Sequence, residues 1–193
     1  MRFRRALLAV MVAVGALAVP AAATVQDPET QKDLVRGHDR DDDGDDGDAN
    51  GSKQRGFFTT LPDGTAMGLR IKGFASITRT SVATNVKAIV LGLAPRTTYA
   101  AHLHNAPCSL PGNPGGAHYK NDPAGPAMPP NELWLSSTDD PMAGITSNAG
   151  GVAFGRGSAD WVARPDAQSV VIHFIPPGGT TAGGPKIACA DLS

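Results

Sequence analysis

The sequence predicts an all-β protein, a barrel or sandwich whose longest loops hold the unusual residues. Several short segments alternate apolar and polar side chains, as strands with one buried face do. The 23 glycines and 16 prolines fall largely between these segments. No segment has the periodicity of an amphipathic helix. At 193 residues the chain has room for one ordinary domain once its ends are set aside.

Residues 1–23 have the three-part pattern of a secretory signal peptide. An arginine-rich start precedes the apolar run 6–19, and the small residues of 20–23 follow, with cleavage expected after Ala23. The apolar run is shorter than the ~20 residues of a membrane-spanning helix, so we expect no retained membrane anchor. These features predict a soluble protein that is secreted or periplasmic.

Residues 24–55 predict a disordered acidic linker. Residues 24–51 carry ten acidic residues against three basic ones and almost no apolar side chains, too few to offset the entropy of ordering. Residues 52–193 carry eleven basic residues against eight acidic ones, which makes the folded part mildly cationic. The domain is therefore expected at residues 56–193.

The strands expected in this domain follow one another along the chain. They are residues 66–80, 85–93, 97–104, a short strand at 132–137 around Trp134, 152–156, 169–174 and 185–190. In 66–80 one face is formed by Met67, Leu69, Ile71, Ala75 and Ile77, and in 97–104 one is formed by Tyr99, Ala101 and Leu103. In 152–156, Val152 and Phe154 are expected to face inward. These residues are the predicted core.

Four histidines occupy related positions in this pattern. His102 and His104 lie on the polar side of strand 97–104 and are expected to face away from the core. His118 follows a loop rich in glycine and proline, and His173 is expected to face outward on strand 169–174. Imidazole is the commonest metal-ligating side chain, and four imidazoles without a thiolate cluster suit copper among several first-row metals.

Two cysteines, Cys108 and Cys189, are present, an even number in a chain expected to be exported. A bridge between them would close a loop of about 80 residues and contribute on the order of 4 kcal/mol in the chain-entropy model. Two buried free thiols are the alternative.

Other functional classes find no support in the sequence. It contains no glycine-rich phosphate loop, no serine nucleophile elbow and no basic-aromatic stripe. We therefore expect neither a hydrolase nor a nucleic-acid-binding protein.

Several motifs between residues 57 and 192 share an order with one known family. They are Gly92-Leu93-Ala94-Pro95, His102-Leu103-His104, Cys108, Gly115-Gly116-Ala117-His118-Tyr119, Val170-Val171-Ile172-His173 and Gly183-Gly184-Pro185-Lys186-Ile187-Ala188-Cys189. Together they resemble the copper/zinc superoxide dismutase family, in particular its exported bacterial members.

The resemblance implies a fold, a metal and a reaction. The fold would be an eight-stranded Greek-key barrel or sandwich of immunoglobulin-like type with long ligand-bearing loops. His102, His104, His118 and His173 would bind copper, His118 would also take part in catalysis, and a Cys108–Cys189 disulfide would attach the ligand loop to the barrel. The substrate would be superoxide, converted to oxygen and hydrogen peroxide. Analogy with the family allows a homodimer, although no exposed apolar strand identifies an interface.

Three departures from the family pattern qualify this expectation. No histidine lies between Tyr119 and Gly144, where the family's zinc ligands would be, so we expect a copper-only site without zinc. The carboxylate that follows the fourth ligand in the family is missing, because Phe174 follows His173. The arginine that draws the anion to copper is replaced by Lys186, which keeps the charge but loses the planar donor fork.

These departures leave three interpretations open. The first is an exported copper-dependent dismutase, and the second is a copper-binding or storage module with little turnover. The third is a structural β-domain with residual histidines, against which the persistence of all four ligands counts.

Overall fold

A computed structural model describes residues 51–192. The predicted signal peptide and the linker up to residue 50 lie outside this range. Eight strands are present in the described range: β1 (Ser52–Thr60), β2 (Lys72–Arg79), β3 (Thr84–Leu91), β4 (Thr98–His104), β5 (Ile145–Thr146), β6 (Ala153–Ala159), β7 (Ser169–Phe174) and β8 (Lys186–Asp191). A short α-helix, α1 (Pro62–Ala66), and a 3-10 turn at Pro141–Ala143 complete the structure.

The strands form one antiparallel sheet that is nearly closed into a barrel, which confirms the predicted all-β class. Their order in the sheet is β5-β4-β7-β8-β1-β2-β3-β6. β1 pairs with β2 through its first part and with β8 through its last three residues. Gly56 lies at this change of partner, where an added Cβ would be 1.4 Å from the carbonyl oxygen of Asp191. Only glycine permits the two strands to approach so closely.

Two boundaries differ from the sequence prediction. Residues 52–55, assigned to the linker, form the start of β1, and Arg55 pairs with Ser76 of β2. The strand expected at 66–80 begins only at Lys72, because Pro62 starts helix α1. Proline suits a first helical turn, where its missing N–H needs no partner.

The segment 132–137 also differs from the prediction. It makes isolated bridges to neighbouring segments, His102 with Trp134 and Ser136 with Arg156, instead of forming a strand. It therefore runs beside the edge of β4, where the Leu103 N–H donates to the Leu133 carbonyl and the Leu135 N–H to the Ala101 carbonyl.

The core lies inside the barrel and contains most of the predicted residues. Met67 and Phe154, which were expected to face inward, are exposed instead. Met67 ends helix α1, and on β6 it is Ala153, not Phe154, that points into the barrel. Ile71, Ala75, Ile77, Tyr99 and Leu103 are all buried. The buried Tyr99 hydroxyl accepts a hydrogen bond from the Ala94 N–H at 3.0 Å, so its polar end is satisfied.

Cys108 and Cys189 form a disulfide bond, which excludes the alternative of two free thiols. The bridge joins the loop after β4 to strand β8 across 81 residues of sequence. The Cys108 N–H also donates to a carboxylate oxygen of Asp191 at 2.6 Å. The bond is consistent with an extracytoplasmic protein. Among residues 51–192, no helix has the length and apolar character needed to cross a membrane.

Candidate metal centre

Two neighbouring strands and one loop bring the four histidines together. His102 and His104 lie on β4, and His173 lies on the adjacent β7, where it pairs with Ala100. His118 returns to β4 at the end of the loop and forms an isolated bridge with His104. The turn before it needs Gly116, which has φ 70° and would place a Cβ 2.6 Å from that of Ala106.

The four rings surround a common point. Their centroids are separated by 4.2 Å for His102 and His118 and by up to 6.2 Å for His102 and His104. One potential ligand nitrogen from each ring lies within 4.8 Å of the others. A metal about 2 Å from each nitrogen would place the nitrogens up to about 4 Å apart, so small side-chain movements suffice for binding.

In every ring, the nitrogen that points away from the common centre, here called the outer nitrogen, has an oxygen partner. This partner fixes the tautomer of the ring. His102 Nε2 lies 2.7 Å from the Thr181 carbonyl oxygen. The Nδ1 atoms of the other three rings face oxygens as well. These pairs are His104 with the Gly116 carbonyl at 3.3 Å, His173 with the Gly184 carbonyl at 2.9 Å and His118 with the Glu132 carboxylate at 2.9 Å. A carbonyl or carboxylate only accepts, so each outer nitrogen carries the proton and donates it.

In each neutral ring, the other nitrogen, which points toward the common centre, therefore carries no proton and has a free lone pair. His102 Nδ1 is buried without a hydrogen-bond partner. His104 Nε2 and His173 Nε2 lie 3.1 Å apart. Two lone pairs at this distance cannot share a hydrogen bond unless one ring becomes charged. A bound cation satisfies all of these nitrogens, so the residues present fit a metal ion.

The environment favours neutral rings. Burial lowers the pKa of both His102 and His104 well below the usual value for histidine, and the neighbouring imidazoles lower it further. Burial also lowers the pKa of His173 to about 4. These three ligands are thus deprotonated at neutral pH, as metal binding requires.

The expectation that the histidines of β4 and β7 face outward is wrong in one respect. Their rings leave the core side, but His102, His104 and His173 are buried. The centre of the Trp134 indole ring lies 4.7 Å from that of the His102 ring, so Trp134 contributes to the burial of His102. His118 is the more open ligand, with 21 % of its side chain exposed.

Sequence reasoning missed Glu132. Its buried carboxylate accepts hydrogen bonds from His118 Nδ1 at 2.9 Å and from Trp134 Nε1 at 2.7 Å. Trp134, interpreted only as a packing residue, therefore also orients this carboxylate. An acidic residue two positions before a tryptophan, in a segment with the strand period, was the available signal.

Lys186 lies beside the centre but is engaged with the ligand loop. Its ammonium donates to the Asn113 side-chain oxygen at 2.6 Å and to the carbonyls of Pro114 at 3.0 Å and Gly116 at 2.5 Å. Burial lowers the pKa of Lys186 below its usual value. The Gly116 carbonyl that it contacts also accepts from His104, so the lysine supports a ligand's partner.

No protein-family model and no curated protein matches this chain. The class of protein therefore follows from the fold and the site alone. It is a β-barrel protein with four clustered histidines that could hold a metal ion.

Proposed function

We propose that the protein is an exported copper-dependent superoxide dismutase of the copper-only type. One observation carries this proposal. Four imidazole rings direct their lone pairs toward one point, and the protonated nitrogen of each ring donates to an oxygen that holds the ring in place. An all-nitrogen set suits copper, which changes between its one- and two-plus states with modest ligand change. Copper would supply the one-electron steps that convert two superoxide ions and two protons to oxygen and hydrogen peroxide.

The order of the strands supports the proposal that the barrel is of the Greek-key type. Strands β1, β2 and β3 are neighbours, whereas the connections from β3 to β4 and from β6 to β7 pass to non-adjacent positions in the sheet. Such connections are expected of a Greek-key barrel related to immunoglobulin-like sandwiches. The disulfide and the proposed signal peptide support export.

The surroundings of His118 support a single metal. Its outer nitrogen faces Glu132, at the position where a bridging histidine would meet a second metal. The hydrogen bond to the carboxylate orients His118 and increases its basicity toward the proposed copper. A small anion would reach the proposed copper past the exposed part of this ring.

Engagement of Lys186 favours a second candidate, a copper-binding or storage module with little turnover. The ammonium already has three oxygen partners and is less free to guide an anion than an open side chain would be. The charge still lies beside the centre, so long-range attraction is retained under the dismutase proposal.

One experiment separates the two functions. The protein is loaded with copper, its metal content is measured, and superoxide consumption is followed by pulse radiolysis. A dismutase gives a rate proportional to bound copper that falls with salt, and H104N, which keeps a donor toward Gly116 but removes the ligand, lowers both copper and rate. Stoichiometric copper without turnover supports the storage module, and failure to bind copper overturns both proposals.

A further inference from the structure

The outer face of β1, β2, β3 and β6 carries a row of apolar side chains that crosses all four strands. Phe57 pairs with Phe74, Phe74 with Ile89, and Ile89 with Phe154. The two ends of the row are the most exposed, Phe57 at 74 % and Phe154 at 62 %. Three strand spacings give the row a length of about 14 Å. Isolated exposed apolar residues are common, but a continuous row is typical of an interaction site.

A row of cations runs beside it on the same face. Arg55 pairs with Ser76, Ser76 with Lys87, and Lys87 with Arg156. These residues are two positions along each strand from the apolar row, so the two rows lie about 7 Å apart. The Arg55 guanidinium lies 4.4 Å from the centre of the Phe74 ring, which joins the rows.

The face is cationic throughout. Lys53 and Lys72 lie on the same side of their strands as the cations of the row, and the four strands contain no acidic residue. Asp139, outside the strands, forms an exposed ion pair with Arg156. A groove of about 480 Å³ lies over this region and is lined by Arg55, Lys87 and Arg156 together with Phe74 and Phe154.

We propose that this face, the Phe57–Phe154 row with its adjacent cations, docks the protein on a bilayer surface that contains anionic phospholipids. The phosphate headgroups bind in the groove beside Arg55, Lys87 and Arg156, while Phe57 and Phe154 enter the apolar layer beneath the headgroups. The strands of this face carry none of the four histidines, so the proposal is independent of the metal and of the proposed function.

The charge of this face and the exposure of its phenylalanines together favour a lipid surface over other binding partners. A hydrophilic polyanion would satisfy the cations but leave the two most exposed phenylalanines in water. A second copy of the same face would bring apolar rows together but would offer its cations no acid beyond Asp139, which is already paired with Arg156. A lipid surface supplies anionic and apolar layers at successive depths, as the two rows require.

Vesicle binding by the full chain tests the proposal. Partitioning is measured by sedimentation with vesicles of phosphatidylglycerol and phosphatidylcholine and with phosphatidylcholine alone. We expect binding only with the anionic lipid, weakened by salt. F57S/F154S should reduce partitioning about tenfold or more, and K87Q about fivefold. L110S and R96N, exposed substitutions outside the four strands, are the matched controls and should leave it unchanged.

A second readout reports on the face itself. In F57W, the new indole should be quenched by lipids with brominated acyl chains, whereas the indole of L110W should not. Equal partitioning of F57S/F154S and L110S, or an F57W signal that brominated lipid leaves unquenched, overturns the proposal. A concentration-dependent dimer that F57S/F154S abolishes, without vesicle binding, would overturn it in favour of an interface between two copies.

Discussion

Acidification of the metal-free protein should sharply reduce its stability, because three histidines are buried in neutral form. Burial lowers the pKa of His102, His104 and His173 in the folded state. In the unfolded chain each returns to about 6.5. The unfolded state therefore binds more protons below this pH, and the free energy of unfolding falls as the pH falls.

The magnitude follows from linkage. A histidine that titrates near pH 6.5 when unfolded but stays neutral when folded favours unfolding by about 2 kcal/mol between pH 7.5 and pH 5. His173, with a folded pKa of about 4, contributes nearly the full amount over this interval. His102 and His104, whose pKa values are also lowered, add to this loss, which is large beside the stability of about 5–15 kcal/mol of a typical domain. Stability is therefore highest above the unfolded pKa of about 6.5 and falls below it, and for His173 the fall is complete near the folded pKa of about 4.

Urea denaturation of copper-free protein, followed by tryptophan fluorescence at pH 7.5 and pH 5, measures this difference. The control is the triple variant H102Q/H104N/H173N. In each substitution the new amide can keep a donor toward the carbonyl that the imidazole contacts, but it does not take up a proton. The variant should lose most of the difference in the free energy of unfolding.

The result that would refute this reasoning is a free energy of unfolding that changes by less than about 1 kcal/mol between the two pH values. Such a result would mean that the histidine rings take up protons while the barrel stays folded, for example because the loop that carries His118 opens. An equally steep dependence in the triple variant would assign the effect to other groups.

Three further predictions concern the groups around the centre. Replacing Glu132 with leucine should weaken copper binding by about 10- to 100-fold in calorimetric titration; E132Q, which keeps an acceptor oxygen, should lose less, and equal affinities would contradict the orienting role. Removing the disulfide in C108A/C189A should lower the free energy of unfolding in urea by about 4 kcal/mol, and a loss below 1 kcal/mol would contradict the chain-entropy estimate. K186E should slow superoxide consumption most at low ionic strength, with K186R near wild type; a rate unaffected at low salt would exclude guidance by this charge.

The strands were predictable where one face is buried and the other is polar. The alternation around Leu103 and Ile172 identified β4 and β7, since successive side chains point to opposite faces. The start of β1 was missed because Lys53 and Arg55 face solvent and Gly56 interrupts the pattern. Helix α1, of five residues, is too short to show a helical period.

The ligand set was predictable from the spacing of the histidines, but their surroundings were not. Strand period places His102 and His104 on one side of β4 without showing what covers that side. Glu132 meets His118 from 14 residues away along the chain. That contact depends on how the loop folds over the sheet, which no local pattern encodes.

The geometry of the centre depends on the loops more than on the sheet. The oxygens that fix the four tautomers belong to Gly116, Glu132, Thr181 and Gly184, all outside the strands. The loop that contains Cys108 and Gly116 is attached to β8 at two points. Cys189 of β8 forms the disulfide with Cys108, and Lys186, three residues earlier on β8, donates to the Gly116 carbonyl.

Loop attachment and metal affinity are therefore coupled. Reduction of the Cys108–Cys189 bond removes one of the two attachments of the loop that carries His118, so a metal that binds must then supply more of the order of that loop. By reciprocity, a bound metal that holds the loop in place opposes reduction of the disulfide by the same free energy. The bond thus contributes to the proposed metal site as well as to the stability of the barrel, although neither sulfur is a ligand.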